Sequence, residues 1–306
     1  MTTVTSTYLQ QILDQVKEKN PMHYKKLIRS TNFNDEQFMQ RAEDFFRRYD
    51  ELLERRGLTM DYAIDCYLQM GHDMMYEQIR YLETGKYSCT SFEEVNARVY
   101  ANPDTMVYYM WGLLLSQYLW EHHYKILEFF YQNISKYSEN VKEVLEIGGG
   151  HGLYANEIFG AFKFDFNYTM VDISETSIEM AKNFTPGLPI NFINEDAYKF
   201  ESDKKYDFII MGEVLEHVED PLTLLKKLHS LGSDNATAFI TVPCNAPAID
   251  HIYLFRSPAE LHAIYNEAGW DVVMDVAASS ESRRSTAVDD PMIPIMHAAF
   301  LQKKKA

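Results

Sequence analysis

The stretch 143–154, EVLEIGGGHGLY, decides the fold. Its first five residues, EVLEI, form a short apolar run of strand character, too short for a buried helix. Glycines then stand at Gly148, Gly149, Gly150 and Gly152. Residues without Cβ let the chain turn tightly and let a ligand approach the main chain. A helix starting at Leu153 offers amide groups that have no partner within the helix. A dinucleotide fingerprint, GxGxxG, needs glycine where Leu153 stands. The spacing here is GxGxG instead.

C-terminal to this turn, apolar runs alternate with helical stretches. The runs are 168–171 (YTMV), 190–193 (INFI), 208–211 (FIIM), 238–242 (AFITV) and 270–276 (WDVVMDV). Ser174 caps the stretch ETSIEMAK, Asp220-Pro221 opens another helix that Gly232 follows, and Ser257-Pro258 with Glu260 opens a third ended by Gly269. Such alternation predicts βαβ units around a parallel sheet. The last run, 296–302 (MHAAFLQ), follows a polar loop and no helix, so an antiparallel final strand is expected. Acids fall at strand ends: Glu146 on the first, Asp172 after the second, Asp196 after the third. In open α/β sheets these ends border one crevice, where a carboxylate such as Asp172 can accept ribose hydroxyls. From Asp196 a carboxylate can accept an adenine amino group.

This constellation resembles the class I S-adenosylmethionine methyltransferases over residues 140–303. The resemblance implies a Rossmann-like sheet of seven strands, mostly parallel, with an antiparallel last strand. It implies that Glu146, Gly148, Gly150 and Gly152 line the methionine end of S-adenosylmethionine. Asp172 would hold the ribose, and Asp196 with Ala197 the adenine, while Gly212 would join the cofactor wall. The product would be S-adenosylhomocysteine.

After the fourth run comes 212–221, GEVLEHVEDP, similar to the EVLEHVxDP segment of a group that includes the ubiquinone-pathway O-methyltransferases. Methyl transfer to oxygen asks the protein to align the acceptor and to take its proton. His217 or His251 suits a general base near neutrality. Alternatively Glu213, Glu216, His217 and His251 bind a divalent metal, a mixed O/N set that suits Mg, Mn, Fe or Zn. A similar Glu-x-x-Glu-His with a later His occurs in small-RNA 2′-O-methyltransferases. In a third reading Glu213 and His217 brace the loop and Glu216 is solvated. Arg256 offers a cation for a substrate carboxylate.

N-terminal to the quoted stretch the chain reads as helical. Asn34-Asp35-Glu36 starts one helix and Gly57 stops it; others cover 60–84, 103–120 and 121–134. Residues 1–138 are therefore expected to form a helical lid, acceptor-pocket or dimer domain, with 139–306 as the cofactor domain. Tyr108, Tyr109 and Gln117 are candidates to meet the sulfonium, whose charge aromatic faces stabilise. His122 and His123, adjacent on a helix, point apart and are expected in solvent or core.

Composition narrows the partners. The formal net charge of −16 opposes nucleic acid and anionic membrane surfaces. Three scattered cysteines and no signal-peptide pattern lead to the expectation of a cytoplasmic protein without a membrane span. A small-molecule acceptor methylated at oxygen is the expected substrate, with a homodimer through the N-terminal helices. Nitrogen or carbon acceptors, a macromolecular acceptor (RNA, peptide or carrier protein), aminopropyl transfer and a non-catalytic partner subunit are the competing classes.

Overall fold

The computed structural model describes residues 7–30, 33, 35–163, 165–280 and 293–305. Asn34 and most of the polar loop before the final strand lie outside them.

The helical part comprises α1 (Thr7–Lys19), α2 (Pro21–Ser30), α3 (Glu36–Arg55), α4 (Met60–Thr84), α5 (Phe92–Val95), α6 (Pro103–Leu119) and α7 (Glu121–Asn133). Local chemistry sets the boundaries. Asp35 accepts from the amides of Gln37 and Phe38 at the start of α3, and Thr59 accepts from Tyr62 at the start of α4. Gly85, at φ 67°, ends α4 in the left-handed region. Asn102 caps α6, whose first residue is Pro103. Between α5 and α6 a π-helical turn, Asn96–Tyr100, interrupts the regular hydrogen bonding. The periodicity of the sequence does not predict it.

The second part supplies β1 (Glu143–Ile147), α8 (Leu153–Ala161), β2 (Asn167–Asp172), α9 (Glu175–Phe184), β3 (Ile190–Asn194), β4 (Tyr206–Gly212), α10 (Pro221–Leu231), β5 (Gly232–Cys244), α11 (Pro258–Glu267), β6 (Trp270–Ser279) and β7 (Ile295–Lys303). They form one seven-stranded sheet in the order β3-β2-β1-β4-β5-β7-β6. β7 runs antiparallel to both β5 and β6, and the other pairings are parallel. This is the architecture that the strand spacing predicts. The strand order reverses between β1 and β4, which opens a crevice at their C-terminal ends.

Helices cover both faces. One core gathers Leu145, Ile147, Ile209 and Met211 with α10 and α11; the other gathers Val144, Phe208, Ile210, Phe239 and Phe300 with α7 and α8. A third cluster joins α1, α3, α4 and α6, and reaches Leu153, Met180 and Phe184 of the sheet domain. The helical part is thereby packed against α8 and α9. No helix among the described residues is long and apolar enough to cross a membrane. Cys66, Cys89 and Cys244 are buried and unpaired with one another.

Candidate active site

The turn after β1 is built as a cradle. Gly148, Gly150 and Gly152 have φ of 66°, 52° and 77°, a region that L side chains rarely adopt. A methyl group on Gly148 would lie 2.3 Å from Val214 Cγ2, and one on Gly149 2.4 Å from Met170 Sδ. Above Gly150 the nearest atom is Met110 Cε of α6, at 3.6 Å from the same built position. The helical part thus reaches over the glycine turn.

The acids expected at the strand ends converge here. Asp172 accepts from the Gly150 amide at 2.9 Å and from the Ser174 amide at 2.8 Å, which ties the ends of β1 and β2 together. Burial pushes its carboxyl up, partly offset by those two donors. Glu146 is only 2% exposed and accepts from the Tyr168 hydroxyl at 2.7 Å. Burial holds its carboxyl up at about 8. Asp196 is more open; it accepts from its neighbour Tyr198's amide at 2.9 Å. A single cavity of about 2180 Å³ is lined by Glu146, Gly148, Gly150, Asp172, Asp196 and Ala197. Gly212 lines it too, where a side chain would strike the Tyr154 ring at 2.8 Å. Gly152 lies behind this surface, packed against Ala181 of α9 and Thr185 at the end of that helix.

The segment after β4 carries two local anomalies. Glu213 holds φ 54°, outside the range usual for non-glycine residues, and its amide donates to the Thr241 carbonyl at 2.9 Å. Its carboxyl is raised to about 7, first by burial and then by the charge of Asp250. Three residues on, Glu216 is fully buried, and neither carboxylate oxygen has a hydrogen-bond partner among the described residues. Burial with Glu213 nearby pushes it well above the ordinary carboxylate range. The amides of Ile252 and Tyr253 donate to the Glu216 carbonyl, which seats the 250–253 segment against this turn.

That seat brings His251 to His217, with ring centroids 4.8 Å apart. His217 Nδ1 donates to the Asp250 carbonyl at 2.9 Å, and His251 Nδ1 to the Ala246 carbonyl at 2.6 Å. A carbonyl can only accept, so the neutral form of each ring carries its lone pair on Nε2. Ligand atoms of Glu216, His217 and His251 lie within 4.8 Å of one another. Burial and His217 depress His251 to about 4, so it stands neutral at pH 7.

Several placements differ from the sequence reading. Glu213 fronts the cavity but lies outside the tight Glu216–His217–His251 group. Glu216, allowed above to be solvated, is enclosed. Tyr108 does not line the cavity; its hydroxyl donates to Asp73 at 2.7 Å. One residue along, the helix turns about 100°. Tyr109 therefore faces the cavity and donates to Asp250 at 3.3 Å. Gln117 lines the cavity with its amide near the Leu113 carbonyl and His123. His123 is buried, as the core alternative has it, and both His122 and His123 line the cavity. Arg256 is exposed and outside.

Sequence reasoning missed Asp250 and Tyr100. Asp250 gathers Tyr109, Tyr100 at 3.5 Å and His217 around one carboxylate. Tyr100 ends the π-helical turn, a feature that often marks functional sites. The one available signal was their proximity in sequence to His251 and to the Asn102-Pro103 cap.

Comparison with known proteins gives the same setting. A family model described as a methyltransferase domain matches residues 119–275. A ubiquinone biosynthesis O-methyltransferase of Rickettsia felis is 29% identical over 119 residues, covering 38% of this chain and 48% of that one. A malonyl-[acyl-carrier protein] O-methyltransferase of Ilyobacter polytropus is 32% identical over 95 residues, covering 31% and 35%. The chain thus spans half or less of the length of these curated relatives. The solved structure of a mitomycin 7-O-methyltransferase aligns with a TM-score of 0.53 at 11% identity, over 80% of this chain and 70% of that one, a likeness of fold alone.

Proposed function

This chain belongs to the methyltransferase-domain family of class I S-adenosylmethionine-dependent enzymes, and from that premise we propose that it transfers the methyl group of S-adenosylmethionine to a hydroxyl oxygen of a small molecule. The observation that carries this is the convergence of Glu146, Asp172 and Asp196, from three neighbouring strand ends, on one cavity beside the glycine cradle. In this reading Asp172 accepts the ribose hydroxyls with lone pairs its two amide donors leave unused. Asp196 and Ala197 border the adenine. Glu146 and the turn around Gly148 and Gly150, with Gly212 as floor, take the methionine end. The helical residues 1–138 act as lid and acceptor wall over 139–306. Tyr109, Met110 and Gln117 form its inner face and exclude water from the reacting atoms.

The transfer is one in-line displacement. The S–CH₃ bond breaks as the O–CH₃ bond forms, leaving S-adenosylhomocysteine neutral at sulfur. The protein's task is alignment and removal of the acceptor's proton. Glu213 is the candidate base: it faces the cavity, and a carboxyl held at about 7 is both partly ionised and basic enough at neutral pH.

The residues also fit a divalent metal. Glu216 presents two buried oxygens without donors, and His217 and His251 present Nε2 lone pairs fixed by carbonyls behind them. Metal-ligating histidines are commonly oriented in this way. Glu216, His217 and His251 would hold the ion, which would supply Lewis-acid polarisation of the acceptor oxygen. A pairing of two copies belongs to the same proposal: α4 presents Tyr76 and Ile79, 61% and 50% exposed, outside the cavity.

Calorimetry with S-adenosylhomocysteine tests the cofactor assignment. Micromolar binding that Asp172→Ala weakens at least tenfold is expected; no binding at millimolar concentration would overturn it. Methyl transfer to a panel of phenols and alcohols, with and without chelator, then tests acceptor and metal. Sedimentation of wild type against Tyr76→Glu tests the dimer.

A further inference from the structure

The cavity extends past the glycine cradle and the Glu213–His217–His251 corner, into a groove between α2 and α4. One wall is a single face of α4, with Leu68, Met75 and Leu82 seven residues apart. At 1.5 Å per residue this face is about 20 Å long. Met75 and Leu82 are 55% and 46% exposed, so the wall is apolar surface facing water. The opposite wall is a face of α2 that carries Lys25, Lys26 and Arg29. The chain has 45 acidic against 29 basic residues, yet none of these three cations forms an ion pair among the described residues. Their field reaches inward: Lys26 contributes, after burial, to the depression of His23 and His122. The cavity volume is roughly twice the upper end of ordinary small-molecule pockets, more than a nucleoside cofactor and a compact acceptor require.

We propose that the methyl acceptor is an anionic amphiphile, with an apolar chain lying along Leu68, Met75 and Leu82 and a carboxylate or phosphate held by Lys25, Lys26 and Arg29. This rests on the methyltransferase reading and specifies its substrate class. Unpaired cations beside an apolar trough recognise that combination: the chain gains by leaving water, and the anion gains charge-assisted hydrogen bonds that a neutral head cannot make. An aqueous sugar or a nucleic acid would leave the α4 wall unused.

The test uses the full chain and a dansyl-labelled undecanoate as fluorescent probe. Binding is expected, with displacement by dodecanoate or dodecyl phosphate at least about tenfold better than by dodecanol or dodecyltrimethylammonium. Whichever anion displaces better assigns the head group, and either supports the proposal. The triple charge reversal Lys25→Glu, Lys26→Glu and Arg29→Glu, all on exposed positions, should abolish that preference. Met75→Glu with Leu82→Glu should weaken every amphiphile. Both variants should keep S-adenosylhomocysteine affinity unchanged. Cofactor binding without probe binding, no preference for the anions, or a dimer whose formation blocks the probe would each overturn the amphiphile proposal and leave the cofactor reading standing. Loss of cofactor binding in the wild type would instead remove the reading it rests on.

Discussion

Replacing Glu146 by Gln should stabilise the cofactor-free protein by an amount that grows with pH. The Glu146 carboxyl is buried against Tyr168, with Asp172 adding like charge, and its proton is held to about 8 against an ordinary 4.5. The sign follows from proton counting. Between those two values the folded state keeps a proton that the unfolded chain has released. Stability therefore falls as pH rises, by about 1.4 kcal/mol per pH unit. The loss is negligible below pH 4, roughly 3 kcal/mol at pH 7, and levels off above pH 8. Gln does not titrate, and its carbonyl can still accept from the Tyr168 hydroxyl. Urea unfolding of both proteins at pH 5.5, 7 and 8.5 should show the variant gaining by roughly 1, 3 and 4–5 kcal/mol. Other titrating groups cancel in the difference. A pH-independent difference, or a variant weaker at pH 7, would refute the reasoning. A second readout links this to function. If the methionine ammonium seats beside Glu146, binding S-adenosylhomocysteine at pH 7 drives out that proton. Calorimetry in buffers of different ionisation enthalpy should then detect proton release in the wild type and none in Glu146→Gln.

Four other substitutions separate the parts of the site. Gly148→Ala places its methyl 2.3 Å from Val214 Cγ2 at φ 66°. It should cost about 3 kcal/mol from left-handed strain and overpacking, whereas Gly150→Ala, at φ 52° with Met110 at 3.6 Å and the Gly148 carbonyl at 3.8 Å, carries the strain without the overpacking and should cost only about 1–2 kcal/mol. Asp172→Asn turns an amide donor toward the Gly150 or Ser174 amide; calorimetry should read S-adenosylhomocysteine affinity reduced by about tenfold to a hundredfold. Glu216→Met removes a buried carboxyl that has no hydrogen-bond donor and should raise the Tm of metal-free protein. It should also abolish any rise in Tm that Mg, Mn or Zn produces in the wild type.

What the sequence disclosed was what local rules govern. Four glycines within five residues, acids at strand ends, and caps at Ser174, Asp220 and Ser257 each act through their own neighbourhood, so order and spacing sufficed to place sheet and crevice. The antiparallel β7 was legible because no helix precedes it. The inner face of α6 was not. That helix buries Met106 and nearly every residue from Tyr109 to Leu119. A helix apolar on all sides has no stripe from which to read direction, and Tyr108 and Tyr109 were indistinguishable until packing turned one toward Asp73 and the other toward Asp250. The same limit hid Glu216. Its spacing to His217 was visible, but an acid two residues before Val218 reads as surface, and only the return of segment 250–253 over the turn encloses it. Glu213 in a left-handed conformation and Glu216 without donors stand three residues apart, each breaking a rule that most of the fold obeys. Such violations persist where surrounding structure enforces them and function uses them. Here the enforcing contacts are Thr241, which fixes the Glu213 backbone, and Ile252 and Tyr253, which pin the Glu216 carbonyl. In the proposed reading the chemistry is therefore placed by β5 and the loop that follows it as much as by the glycine turn from which the fold is read.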